Sequence, residues 1–489
     1  MAVKELRYLL KHSSVYGIGT IFGQAAGFLL LPFYTNYLTP RDYGIAALVE
    51  TSISIIAMVA SLGLSQSITR FYSERKNEKD RNIVITTTYV ITWLICIIFI
   101  PFLFLSSIPL SELIFNKPEY GRYFMLSSIA MFFGFNVEIG FNYLVLKARS
   151  TLYVTLSLLN TVTLIGFNVY YIAFQRSGLI GLFYSTLITK VLFSILLTIP
   201  ILTIVKLRFS SRLGLRMIKF SIPLGFATVF RILTNESDKF FINHFFSPIE
   251  TGIYGVAGKI ATSVHVLMTS TFLQSYQPIR FEIAKDVNGP RTYGAIFEHY
   301  LLAIGSFGLL IAIFSNEIIR LLTTKAFYPA AAYIPPLILT WIFFGMKYHL
   351  ENGILISMKP RYISYISGAS SFTNIALNFI LIPRWGVWGA IISSNISNII
   401  LAGASFFISQ KLYRIHIELV KIVKFVTCLS ICFILSIFAS KLSLALAILV
   451  KIILFIIYCV SIFTLRIVEL EVFTPIKNRI FRSDESSAS

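Results

Sequence analysis

Charge is what this sequence most lacks. Asp, Glu, Lys and Arg make up 13% of its 489 residues, where a soluble domain carries about a quarter. Acid is the scarcer sign, 22 Asp and Glu against 42 Lys and Arg, for a formal net charge of +20. There are only six histidines and four cysteines. Cys96, Cys428, Cys432 and Cys459 all fall inside apolar runs. Cys428 and Cys432 share a helix face, but two thiols without His or further Cys make no metal set, and packing accounts for them. No polar stretch is long enough to hold a soluble catalytic domain. The basic start (Lys4, Arg7, Lys11) runs into an apolar stretch with no small-residue cleavage pattern, so no cleavable signal peptide is expected. These shortages exclude a soluble enzyme, a nucleic-acid binder and a disordered scaffold, and no cofactor or metal site is expected. What is present is apolar: 56% hydrophobic residues and a mean hydropathy of +0.78.

A membrane-spanning helix needs about 20 mostly apolar residues. Fourteen runs qualify: 14–37, 45–69, 83–105, 122–146, 152–174, 179–204, 217–243, 251–275, 296–319, 331–357, 362–382, 387–409, 422–440 and 443–465. The expected class is therefore an all-α polytopic membrane protein. The Pro-broken stretch 101–115 reads as an extension of the third span near the outer surface. Basic residues collect on the cytoplasmic side of membrane proteins. With the N-terminus inside, the inner segments hold 28 of the 42 Lys and Arg and the outer segments eight. Arg75, Lys76, Lys79 and Arg81 are inner examples; Arg41, Lys117 and Arg176 are outer ones. Both termini are thus expected in the cytoplasm, and residues 467–489 read as a polar tail.

The chain also repeats itself. NYLTPRDYGIAALVE (36–50) matches HFFSPIETGIYGVAG (244–258), placing Pro40 over Pro248 and Gly44 over Gly252, an offset of 208. At the same offset SGLIGLFYS (177–185) matches WGVWGAIIS (385–393), with Gly178 over Gly386 and Gly181 over Gly389, and Gly17 lies over Gly225. Each unit holds six spans, an even number, so the copies are parallel repeats about an axis along the membrane normal. This divides the chain into an N-lobe (1–211), a C-lobe (212–415), two further helices (416–466) and the tail. Transporters commonly bind substrate at such a repeat interface.

LTPRDYG after the first span, SPIETGIYGVAGKI after the seventh, and LNFILIPRWGVWGAIISS across the eleventh and twelfth resemble the polysaccharide exporters of the multidrug/oligosaccharidyl-lipid/polysaccharide (MOP) superfamily. The nearest type is the Wzx-like flippase of O-antigen or capsule repeat units, and the resemblance covers essentially residues 1–440. It implies a V-shaped cavity between lobes. A lipid-linked oligosaccharide on undecaprenyl diphosphate would cross it from inner to outer leaflet of a bacterial or archaeal cytoplasmic membrane. It also implies polysaccharide polymerase and chain-length machinery as partners. Drug/cation antiporters of the superfamily carry an acid in the first span and lipid II flippases carry arginines there; this chain has neither.

Six basic residues fall within spans: Lys190, Arg231, Lys239, Lys259, Lys347 and Lys451. The acids there are Glu50, Glu138, Glu236, Asp238 and Glu351. Each charge at the bilayer centre costs about 2.5–3.5 kcal/mol, so each needs water, a partner or a function. Asp238 adjoins Lys239 near the outer end of its helix, where either can reach headgroups. Lys347 and Glu351 at i,i+4 can neutralise one another. Lys451 reads as snorkelling. Arg231 differs, lying mid-span with its nearest acid, Glu236, on another face. If the seventh and eighth spans line the cavity, as the resemblance implies, Arg231 and Lys259 face it. A cationic lumen suits a diphosphate, because arginine grips phosphate oxygens bidentately and lysine supplies a point charge. Lys190, Lys239 and Lys347 complete the substrate-binding candidates. Glu50, Glu138, Asp238 and Glu351 are candidates for ion coupling or for pairing with lysines across the bundle. An ion-coupled multidrug antiporter is the competing function, though it would call for an acid-lined cavity. A membrane glycosyltransferase or polymerase would need large outer loops that are not there.

Overall fold

The computed structural model describes residues 27–28, 30–61, 63–440, 442–465 and 467. Most of the first expected span, Gly17, Lys441 and the tail lie outside the described residues, as do a few helical side chains, that of Arg231 among them. Among the described residues the regular structure is all helical, and twelve helices are long and apolar enough to cross a membrane. The chain is a polytopic all-α membrane protein.

In order, the helices are α1 (Leu31–Tyr37), α2 (Pro40–Ala60), α3 (Leu64–Ser73), α4 (Glu78–Phe115), α5 (Gly121–Leu146), α6 (Ser150–Asn168), α7 (Leu179–Val205), α8 (Ser211–Phe245) and α9 (Pro248–Val264). There follow α10 (Thr271–Ile283), α11 (Gly289–Ile313), α12 (Ser315–Leu322), α13 (Ala330–Leu350), α14 (Asn352–Ile356), α15 (Arg361–Trp385), α16 (Val387–Leu412), α17 (Leu419–Ala439) and α18 (Leu444–Thr464). Two π-helical turns, Val169–Phe174 and His265–Ser270, extend α6 and join α9 to α10.

Several expected spans need correction. The run 45–69 is two helices, because Gly63 takes a left-handed φ of +67° where a Cβ would press on the Ser221 carbonyl of α8. The run 296–319 breaks at Phe314, and 331–357 breaks at Glu351 between α13 and α14. The seventh span lies inside α8, whose 35 residues are long enough to cross. The stretch 101–115 does continue the third span: α4 runs unbroken for 38 residues through Pro101 and Pro109. At 1.5 Å per residue that is about 57 Å, well beyond a hydrocarbon core of about 30 Å.

The repeat is visible in local geometry. Thr39 caps α2 through a box with Asp42, and Ser247 accepts from the Glu250 amide at the start of α9 (3.3 Å), each just ahead of a proline. Gly178 and Gly386, paired by the repeat, both sit at positive φ, +61° and +55°. Ala148 and Met358, at matching turns, take +53° and +55°. Gly44 and Gly252 pack reciprocally: a Cβ on Gly44 would land on the Pro248 carbonyl, and one on Gly252 on the Pro40 carbonyl.

Packing groups the chain into two compact units, Met1–Val256 with Leu322–Pro329 and Ser371–Ser393, and Ala257–Leu321 with Ala330–Ser370 and Ser394–Ser489. In the first, Tyr89, Phe193 and Leu197 anchor a core between α4, α5 and α7, and α8 packs on α2, α3 and α4. In the second, α11 carries α13 and α17, with Gly305 against Phe425 and Gly308 against Ile338. Here the expectation for Lys451 fails. Its ammonium does not snorkel: the residue is fully buried and bonds both oxygens of Glu317 on α12, at 2.7 and 2.9 Å. The break at Phe314 is what turns Glu317 toward it.

Candidate functional site

In the first unit the candidate residues gather on α8 and its neighbours. Asp238 is 3% exposed and accepts a hydrogen bond from the Tyr254 hydroxyl of α9. Lys239 pairs with Glu236 one turn earlier. Neither residue of the Asp238–Lys239 doublet therefore reaches for headgroups, as adjacency in sequence suggested. A helix places successive side chains about 100° apart, which sends the two to different partners. Near it on the same helix, Ser237 accepts from Asn378 of α15 (3.4 Å), which also donates to Asn374 (3.1 Å), while Thr234 donates to Ser371 (2.6 Å). A buried carboxylate thus stands beside a row of hydroxyl and amide oxygens.

Glu50 on α2 is exposed and lies within electrostatic reach of Lys239 and Tyr34. Glu138 on α5 is exposed too, and acts on half-buried Lys190 of α7. Arg231 belongs to α8 about two turns before Asp238; its side chain lies outside the described residues.

In the second unit Lys259 is half-buried on α9. Next to it in sequence, a Cβ on Gly258 would find no atom within 4 Å. Lys347 stands 3.9 Å from Glu351, as their i,i+4 spacing suggested, and 5.6 Å from the centre of the Phe344 ring. Glu351 is 5% exposed at the break between α13 and α14. Next to it are residues that sequence reasoning passed over. His349 is buried among Tyr300, Phe272 and Tyr276, with neither ring nitrogen hydrogen-bonded, and Arg280 acts electrostatically on both His349 and Glu351. Glu317, Tyr254 and the Asn374/Asn378 pair were missed as well. The pair left a signal, two asparagines at i,i+4 in an apolar run; Glu317 left none, because a helix break decides where it points. Among the described residues no three His, Cys, Asp or Glu come together as a metal site. The arrangement offers cations inside the spans and one buried acid with oxygen-rich neighbours, which suits an anionic cargo and a small cation or proton.

The chain is also similar to known proteins. A family model described as "Polysaccharide biosynthesis protein" matches residues 36–332, more than half of the chain. "Lsg locus putative protein 1" of Haemophilus influenzae is 27% identical over 268 residues, which is 53% of this chain and 62% of that protein's length. Among solved structures, the lipid II flippase MurJ in an inward closed conformation superposes with a TM-score of 0.74 at 16% identity, covering 93% of this chain and 98% of the other. An inward-facing multidrug-resistance MATE transporter of the MOP superfamily gives 0.62 at 14% identity, covering 83% and 97%. The chain shares the fold of the MOP-superfamily transporters and belongs to the polysaccharide biosynthesis protein family.

Proposed function

We propose that this protein is a flippase that carries a lipid-linked oligosaccharide, borne on undecaprenyl diphosphate, from the inner to the outer leaflet of the cytoplasmic membrane for cell-surface polysaccharide assembly. The reading rests on the match of residues 36–332 to the polysaccharide biosynthesis family, joined by lysines held inside spans, half-buried Lys259 of α9 among them. Cations inside spans suit an anionic cargo, and a diphosphate supplies the anion. Arg231, Lys190, Lys239 and Lys347 are the further cations proposed to meet it along the way. The lobes 1–211 and 212–415 are the moving parts in this reading. The repeated caps and left-handed turns support them as copies of one design. The charge bias supports cytoplasmic termini. The protein performs no reaction on its cargo, and passes it to polysaccharide polymerase and chain-length machinery.

One observation favours a second reading, ion-coupled export of small molecules: buried Asp238, in a fold shared with the MATE transporters. Of Glu50, Glu138, Asp238 and Glu351, Asp238 is the strongest candidate for a coupling ion, given its burial and the oxygens beside it.

The two readings separate in proteoliposomes holding the purified protein. Movement of fluorescently labelled lipid-linked oligosaccharide between leaflets, without uptake of organic cations, is the expected result. Cation uptake without lipid movement would reverse the ranking.

A further inference from the structure

We infer that Trp341, Phe344 and Tyr348 of α13, with His265 of the π-helical turn, form a platform on which the sugar rings of the cargo stack; this rests on the flippase reading above. The helix α13 has two distinct sides. Ile338, Ile342, Gly345 and His349 are buried, and a Cβ on Gly345 would collide with the Tyr300 hydroxyl of α11. Trp341, Phe344 and Tyr348, at i, i+3 and i+7, are half-buried on another face.

The π-helical turn brings His265 to that face, an insertion often found at functional sites. The imidazole centre lies 5.1 Å from the Trp341 ring at 30°, 5.3 Å from Phe344, and 6.4 Å from Tyr348 at 25°. Its Nδ1 is buried and, among the described residues, makes no hydrogen bond. Lys347 places its ammonium 5.6 Å from the Phe344 centroid and 5.9 Å from that of Tyr348.

Rings meant for lipid tails would not be set beside the Lys347 ammonium, because charged groups in hydrocarbon are costly and face water-filled space instead. Nor do they suit an organic cation, since Lys347 already lies over two of the rings and repels a second positive charge. A sugar fits both halves of the site. Its C–H face carries slight positive charge toward the negative ring faces, and its hydroxyls meet the ammonium. Lys259 lies six residues before His265, about 9 Å along the helix.

The test measures binding of two probes to the purified full-length protein in nanodiscs. One is undecaprenyl diphosphate; the other is the lipid-linked oligosaccharide extracted from host cells deleted for this transporter. The wild type is expected to bind the sugar-bearing lipid more tightly. Trp341→Ala and Tyr348→Ala should each weaken that binding by roughly three- to tenfold. Trp341→Phe should keep most of it, and all variants should bind the bare lipid as the wild type does, which also shows that they fold. Equal binding of the two lipids by the wild type, or variants that lose both probes alike, would overturn the platform while leaving the flippase standing. Wild-type protein that binds neither lipid would overturn both.

Discussion

Removing the amine of Lys451 would leave the half-buried Glu317 carboxylate as an unpaired charge. Breaking such a pair from one side typically costs about 3–5 kcal/mol, whereas replacing both partners by well-packed neutral groups is often nearly harmless. Lys451→Ala is therefore expected to lower the thermal unfolding midpoint in detergent sharply, and Lys451→Met with Glu317→Gln to recover most of it. If Lys451 were merely reaching for headgroups, the single change would do little. At Arg231 the expectation concerns transport instead. Arg231→Ala should abolish lipid movement with the folded protein still in the membrane, and Arg231→Lys should restore part, because an ammonium lacks the fork that grips two phosphate oxygens. Full transport by the alanine variant would take Arg231 out of the cargo path.

Among the elements, the openings of α2 and α9 are the most constrained. Gly44 and Gly252 each lie where a side chain would strike the other helix's proline carbonyl. Gly44→Ala or Gly252→Ala must therefore push the helices apart, at about 1–3 kcal/mol by the usual cost of overpacking. Gly255 offers a control, because a Cβ there would meet only the Tyr43 ring at ordinary contact distance. Reduced thermal stability in both the first two variants, with Gly255→Ala near wild type, is the expected pattern. The sequence marked these glycines through the repeat, without saying that the two copies touch. Breaks were harder to foresee. Gly63, Phe314 and Glu351 interrupt runs that read as continuous, since hydropathy registers how apolar a segment is and not where its backbone turns.

For the molecule as a whole, α4 offers a direct check of orientation, since one unbroken helix separates exposed Lys76 from exposed Lys117. In a variant lacking the native cysteines, Lys117→Cys should react with an impermeant thiol reagent from outside the cell and Lys76→Cys should not; the reverse would invert the topology. The energy source is open to measurement too. A diphosphate carries about two negative charges, so a cytoplasm negative by 100 mV favours its outward passage by about 4–5 kcal/mol. Flipping in proteoliposomes under a potassium–valinomycin potential should accelerate with that polarity. Indifference to potential would mean that the charges are compensated in transit, and dependence on pH alone, lost in Asp238→Asn, would point to a coupled proton. The all-α membrane class, most of the spans, the two-fold repeat and the family resemblance were legible in the sequence, because long apolar runs and repeated Gly–Pro anchors act locally. The partners of the charges were not. Lys451 meets Glu317 across 134 residues of chain, Asp238 meets Tyr254 and not the adjacent lysine, and His265 meets Trp341 because a helical turn holds one extra residue. Those choices depend on helix breaks and on the rotation of one helix against another, which no local pattern encodes.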